Sequence, residues 1–166
     1  MDNLDLLKLR RSVRVFQGRL IIKVDLEKIV DAARYAPTAR NVQPWEFVVI
    51  TEKDMLKTLA GLAENGRFIS QAAACIAVFC GDTKYYLEDG CAATCNILLA
   101  ATALGIGSCW VAGDKKSYSK EVGVLLKAPI EAKLISLIAL GYPEDKDAFR
   151  EAAKRNFKEL IHWDKF

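Results

Sequence analysis

From Gly90 to Gly113 the chain carries no charged residue. A run of that length is enough to cross a bilayer as a helix. Thr94, Asn96 and Thr102 break its apolar character, however, and Gly105 and Gly107 divide it in two. The better reading is a long buried helix over residues 85–104, turned at the glycines into a buried strand over 107–112. No membrane span is expected.

The rest of the chain mixes helices and strands without βαβ alternation. A short helix is expected at 3–10. A second follows Asp25 as N-cap, with Leu26, Ile29, Val30 and Ala33 at helical spacing, and Pro37 closes it. Residues 36–44 are a loop by Pro37, Asn41 and Pro44, and 45–51 a strand. Thr51 and Asp54 resemble a capping box for a helix carrying Met55, Leu56, Leu59 and Leu62 that ends at Asn65-Gly66. Strands are expected at 73–80 and 134–140, a surface helix at 117–127, and a tail over 147–166 that is helical at first. The chain has 166 residues and neither repeat nor linker, which predicts one α+β layered domain spanning 1–166.

Composition narrows the partners. The net charge of +3 comes from 24 basic and 21 acidic residues that are well mixed, so no nucleic-acid face is expected. Hydrophobic residues reach 52%, above the roughly 45–50% of ordinary domains. The surplus and the apolar tail Leu160, Ile161, Trp163 predict docking on another subunit. Five cysteines are an odd number, set in apolar stretches, and Asp2 and Asp5 do not suit a signal peptide. A reducing cytoplasm is the natural expectation.

Three segments have the chemistry to hold a ligand. Arg10, Arg11, Ser12 and Arg14 offer guanidinium forks and a hydroxyl suited to a phosphate monoester, although such a cluster also occurs as a plain solvated face. The loop from Pro37 to Trp45 is stiffened by two prolines and can present amides and Asn41 to a planar group; its plainer reading is a helix stop before a strand. Gly105 to Trp110 lacks the third glycine of a dinucleotide fingerprint and follows a helix, so a Rossmann site is rejected. The end of that strand, Val111-Ala112-Gly113, allows close approach to something flat. Cys91 and Cys95 stand at i, i+4, but His162 is the only histidine and no metal site is expected. Cys109 reads as an inert core thiol.

Taken in order, the pieces resemble the FMN-dependent nitroreductases along nearly the whole chain. They are Arg10 to Phe16, Ala36 to Trp45, Cys95 to Ala101, Leu104 to Trp110, Leu140 to Pro143 and Lys154 to His162. The resemblance implies a central, mostly antiparallel sheet flanked by helices in a homodimer. Its long helices pack together, its C-terminal tails are exchanged, and two FMN sites lie in the interface. Arg10, Ser12 and Arg155 would then hold the FMN phosphate, with Arg11 beside them. Arg14 would lie near N1 and O2, where a cation favours the negative charge of the reduced ring. Pro37, Thr38, Ala39 and Asn41 would come from the other subunit and line the ring. The segment from Trp110 to Gly113 would place a backbone N–H, of Ala112 or Gly113, against N5.

The implied activity is a ping-pong transfer of hydride from NADH or NADPH, by way of flavin N5, to a nitroaromatic, quinone or similar acceptor, with no side-chain acid or base nominated. A flavin-binding sensor, a reductive dehalogenase and a flavin-destroying enzyme are the alternatives within the same fold. The family often has Ser where Thr38 and Ala39 stand and Gln where Cys95 stands. The short chain leaves little to cover the flavin, so an open active site is expected.

Overall fold

In the sequence, residues 74–80 and 134–141 are almost unbroken apolar runs, the pattern of strands covered on both faces. The computed structural model, which describes residues 4–166, puts these two strands at the centre of one sheet. In chain order the strands are β1 (Trp45–Ile50), β2 (Ala74–Cys80), β3 (Gly107–Ala112) and β4 (Lys133–Gly141). They lie in the order β1-β2-β4-β3, every neighbouring pair antiparallel. Every residue of β2 is buried, as is all of β4 beyond Lys133.

Helices cover both faces, as the two periods of the sequence require. Ile76, Val78, Ile135 and Ile138 meet α4 (Tyr86–Ala103), through Ala93, Ile97 and Ala101, and α2 (Lys23–Ala33), through Leu26 and Ile29. On the opposite face Cys75, Phe79 and Leu137 pack with α3 (Lys53–Leu62), through Leu56 and Leu59, and with Val122 of α5 (Ser119–Leu125). The α+β expectation holds. Among the described residues no helix is long and apolar enough to cross a membrane.

The uncharged run folds as read. Only Glu88, Cys95 and Ala103 of α4 are exposed, so the helix is enclosed by the sheet, α2 and the short α1 (Asp5–Leu9). Gly105 ends it with φ +69°, a value that costs a β-carbon about 1 kcal/mol. The N–H of Gly105 donates to Thr102 O at 3.0 Å and that of Ile106 to Ala101 O at 2.8 Å, which satisfies the last carbonyls and aims the chain into β3.

Local expectations failed where side chains found other partners. Helix α2 starts at Lys23, leaving Asp25 in the first turn, where Lys28 pairs with it at 3.1 Å. The box at Thr51 does not form: α3 starts at Lys53 and Asp54 pairs with Lys57 at 3.1 Å. That helix stops at Leu62, ahead of Asn65-Gly66. The tail is not helical between 147 and 156 and makes only a turn at Phe157–Glu159. Residues 150–156 bury no apolar stripe, and a short helix without one is marginal. Residue 3 of the first expected helix, and Asp2, lie outside the described residues.

Candidate flavin site

The arginine segment is held against the sheet by its apolar members. Val13 and Phe16 are buried while Ser12, Arg14 and Val15 face out. The N–H of Val13 donates to Ser108 O at 2.9 Å, and Ser12 bridges to Ser108 along the outer edge of β3. Glycines make this approach possible. A β-carbon on Gly107 would come within 2.9 Å of Val13, and one on Gly141 within 2.7 Å of Phe16.

Arg11, Ser12, Val13 and Arg14 line a small cavity of about 200 Å³ together with Asp145 and Arg150. Arg10 and Arg14 also reach toward Cys109. Burial pushes that thiol up, while Arg14, a hydrogen bond with Ser12 and Arg10 pull it back. The Arg14 guanidinium lies 5.7 Å from the centre of the Phe68 ring. Arg10, Arg11, Ser12 and Arg14 therefore meet at one corner. Arg150, which the sequence reading passed over, joins them and pairs with Asp145 at 3.8 Å. Arg155 lies exposed in the C-terminal segment, outside the cavity lining.

The same strand edge continues to Ala112. In an antiparallel edge strand alternate residues turn both main-chain groups outward. Ser108 is one of them, since its carbonyl accepts from Val13, and Trp110 and Ala112 follow in phase. Gly113 points the other way: its N–H donates to Ile135 O at 2.9 Å. A β-carbon there would lie 2.6 Å from Leu134 and 3.0 Å from the Ile135 backbone, so this glycine admits β4 and no flat ligand. Of the two N–H groups expected to face N5, only that of Ala112 is on the open edge. The Trp110 side chain packs toward the α4 face, leaving its backbone to the edge. The Tyr118 and Ser119 hydroxyls donate to the carbonyls of Ala112 and Gly113 and fix this corner. Burial, with Glu64 adding to it, raises the Tyr118 phenol and keeps it protonated as a donor.

The proline loop lies elsewhere. Arg40, Asn41 and Gln43 all have left-handed φ, at 55°, 56° and 51°. Thr38 Oγ1 donates to Asp89 Oδ2 at 2.7 Å and the Ala39 N–H to Asp89 Oδ1 at 3.2 Å. Pro37 and Asn41 are exposed, Thr38 and Ala39 half-buried. Asp89 is in the first turn of α4, whereas Ser108 follows its last turn. From Asp89 to the end of the helix at Ala103 the rise is roughly 21 Å, at about 1.5 Å per residue. None of residues 37–43 is in the lining of the arginine cavity.

The sulfur chemistry is quiet. Burial pushes the Cys75 and Cys80 thiols up to about 12, and all five cysteines are free. A last feature is an apolar groove of about 1070 Å³ between α2 and the outer strand β1, with Leu26, Val30, Trp45, Phe47 and Val49 in its lining.

Comparison with known proteins agrees with this anatomy. The model described as "Nitroreductase family" matches residues 7–78, and that described as "Putative TM nitroreductase" matches residues 56–166. A "Putative NADH dehydrogenase/NAD(P)H nitroreductase" of Archaeoglobus fulgidus is 40% identical over 165 residues, covering 95% of this chain and 94% of that protein. An iodotyrosine deiodinase of Nematostella vectensis is 28% identical over 93% of this chain and 72% of its own length. A crystal structure of a "Putative NADH dehydrogenase/NAD(P)H nitroreductase" from Bacteroides thetaiotaomicron superposes with a TM-score of 0.92 at 30% identity, over 98% of this chain and 97% of that one. An FMN-dependent nitroreductase from Clostridium difficile gives 0.89 at 27% identity, over 98% and 99%. In sequence and in fold alike, the chain belongs to the nitroreductase family.

Proposed function

We propose that the protein is an FMN-dependent oxidoreductase that carries reducing equivalents from NADH or NADPH to a nitroaromatic, quinone or similar small acceptor, as a cytoplasmic homodimer working by a ping-pong mechanism. The observation that carries this reading is the outer edge of β3. It has a cluster of arginines and the Ser12 hydroxyl beside Ser108 at one end and an outward-facing N–H at Ala112 at the other. Four residues of strand at about 3.3 Å each separate the two by about 13 Å. That is an edge suited to a mononucleotide with a phosphate at one end and a flat ring at the other. When bound, FMN would supply hydride transfer at N5.

The chain's own residues bind and orient. Arg10, Ser12 and Arg155 hold the phosphate, with Arg11 beside them. Arg14 places its charge at the pyrimidine side of the ring, and the Ala112 N–H, steadied by Tyr118, sets the ring's position at N5. Pro37, Thr38, Ala39 and Asn41 of a second copy line the ring. Thr38 and Ala39 are tied to Asp89 in the first turn of α4 and are not in the lining of the arginine cavity, which fits the family pattern in which a second subunit supplies the loop. The groove along α2 and β1 offers a seat for the apolar tail, whose Phe157, Trp163 and Phe166 are exposed in the single chain. The FMN-dependent relative of Clostridium difficile supports the cofactor, and the names of the nitroreductase relatives support the reductant.

A second reading, reductive removal of a halogen, rests on the likeness to the deiodinase. Steady-state oxidation of NADH and NADPH with a nitroarene, a quinone and a halophenol tests both. Turnover with the nitroarene or quinone is expected. Turnover with the halophenol alone would favour the second reading, and no turnover with any acceptor would leave a flavin-binding protein without this activity.

A further inference from the structure

We infer that Asp89 is a positioning residue for the flavin site of the opposite subunit, holding the loop over residues 38–43 in the shape that meets the ring. The inference rests on the two-subunit site proposed above. Its starting point is the cost of the loop. Three residues that all carry a β-carbon, Arg40, Asn41 and Gln43, adopt left-handed backbone, at about 1–2 kcal/mol each. Such a segment persists only where its surroundings over-determine it.

Asp89 supplies the determination. The residue is only 5% exposed and sits in the first turn of α4, where the helix dipole favours negative charge. Among the described residues both of its side-chain hydrogen bonds come from the loop: the Thr38 hydroxyl at 2.7 Å and the Ala39 N–H at 3.2 Å. Bonds to a charged acceptor are about twice as strong as neutral ones. The Thr38 hydroxyl also accepts the Gln43 N–H at 3.1 Å, so one oxygen ties the carboxylate to the far end of the loop. Asn41 Oδ1 accepts from Gln43 Nε2 at 3.0 Å and fixes the tip.

The Thr38 hydroxyl is thus turned inward, and it shapes the loop rather than offering a hydroxyl to the ring. Its partner is buried and lies fifty-one residues away, so the local sequence has no sign of it. Asp89 touches neither ring nor acceptor in this arrangement. It acts through the loop.

The test pairs Asp89→Asn, which puts an amide where an acceptor is needed, with Thr38→Val, which removes the donor and leaves the carboxylate. Each is expected to weaken FMN binding by about tenfold and to change the visible circular dichroism of bound flavin, with the far-ultraviolet spectrum unaltered. The double variant should be little worse than either single one, because both break one network. Thr38→Ser should bind as the wild type does, and if Asp89→Asn fails to fold, Thr38→Val carries the test. Mixed dimers of Asp89→Asn and Arg10→Gln subunits should regain one tight site of two. Single variants that bind FMN within twofold of wild type with unchanged dichroism, or mixed dimers with no tight site, would overturn the inference. A wild-type protein that takes up no FMN would instead refute the site itself.

Discussion

Arg14 and Arg155 have the same side chain, yet they are expected to act at opposite ends of one cofactor. Arg155, at the phosphate, should matter for holding FMN: its replacement by Gln is predicted to cost about 1.5–3 kcal/mol, roughly ten- to hundred-fold in affinity. Arg14, anchored beside the buried Val13 and lying over Phe68, should act on the ring. A cation there stabilises the reduced, negatively charged ring more than the oxidised one. Arg14→Gln should therefore lower the two-electron potential on the order of 30–60 mV, about 30 mV corresponding to 1.4 kcal/mol. Dissociation constants and dye-equilibrated potentials of the two variants check this, and equal potentials in wild type and Arg14→Gln would remove Arg14 from the ring. At this scale the grouping of Arg11, Ser12 and Arg14 was legible because they are neighbours in sequence, whereas their meeting with Ser108 on the edge of β3 is a contact made by the fold. Arg150 and Asp89 were not legible. Each matters through a partner that only the fold delivers, and in the sequence Asp89 is one more acidic residue in a helix's first turn.

The elements were legible where composition alone decides the outcome. An uncharged run has to be buried, and its glycines have to mark the turn, so α4 and β3 were placed within a residue of their observed ends. Caps and the tail depend on which of several polar partners wins, and there the expectations slipped. The two glycines of this turn make separable predictions. Gly105 has open space where its β-carbon would be but a φ of +69°, so Gly105→Ala should cost about 1 kcal/mol of stability and leave FMN binding intact. A β-carbon on Gly107 would meet Val13 at 2.9 Å, so Gly107→Ala should cost about 1–3 kcal/mol by overpacking and also loosen the arginine segment. Urea denaturation and FMN titration of both variants check the pair. Equal FMN affinity in the two would show that the seat of Val13 on Gly107 does not matter to the site.

As a whole, the molecule is covered where it is folded and uncovered where a second copy is expected. The central strands β2 and β4 are buried on both faces. The outer edge of β1, the groove beside α2 and the aromatic tail are left without cover within the chain, and the loop over residues 38–43 is tied to the first turn of α4, outside the lining of the arginine cavity. These features made sense in the sequence only as a surplus of apolar residues and a likeness of motifs; the tie of the loop to Asp89 is a property of the fold. The most direct test of the account is sedimentation of the purified protein, followed by flavin absorbance as well as protein absorbance, with the released flavin identified. A dimer carrying one FMN per subunit is predicted, while a monomer that retains flavin, a protein that releases FAD, or a colourless one that ignores added FMN would contradict it.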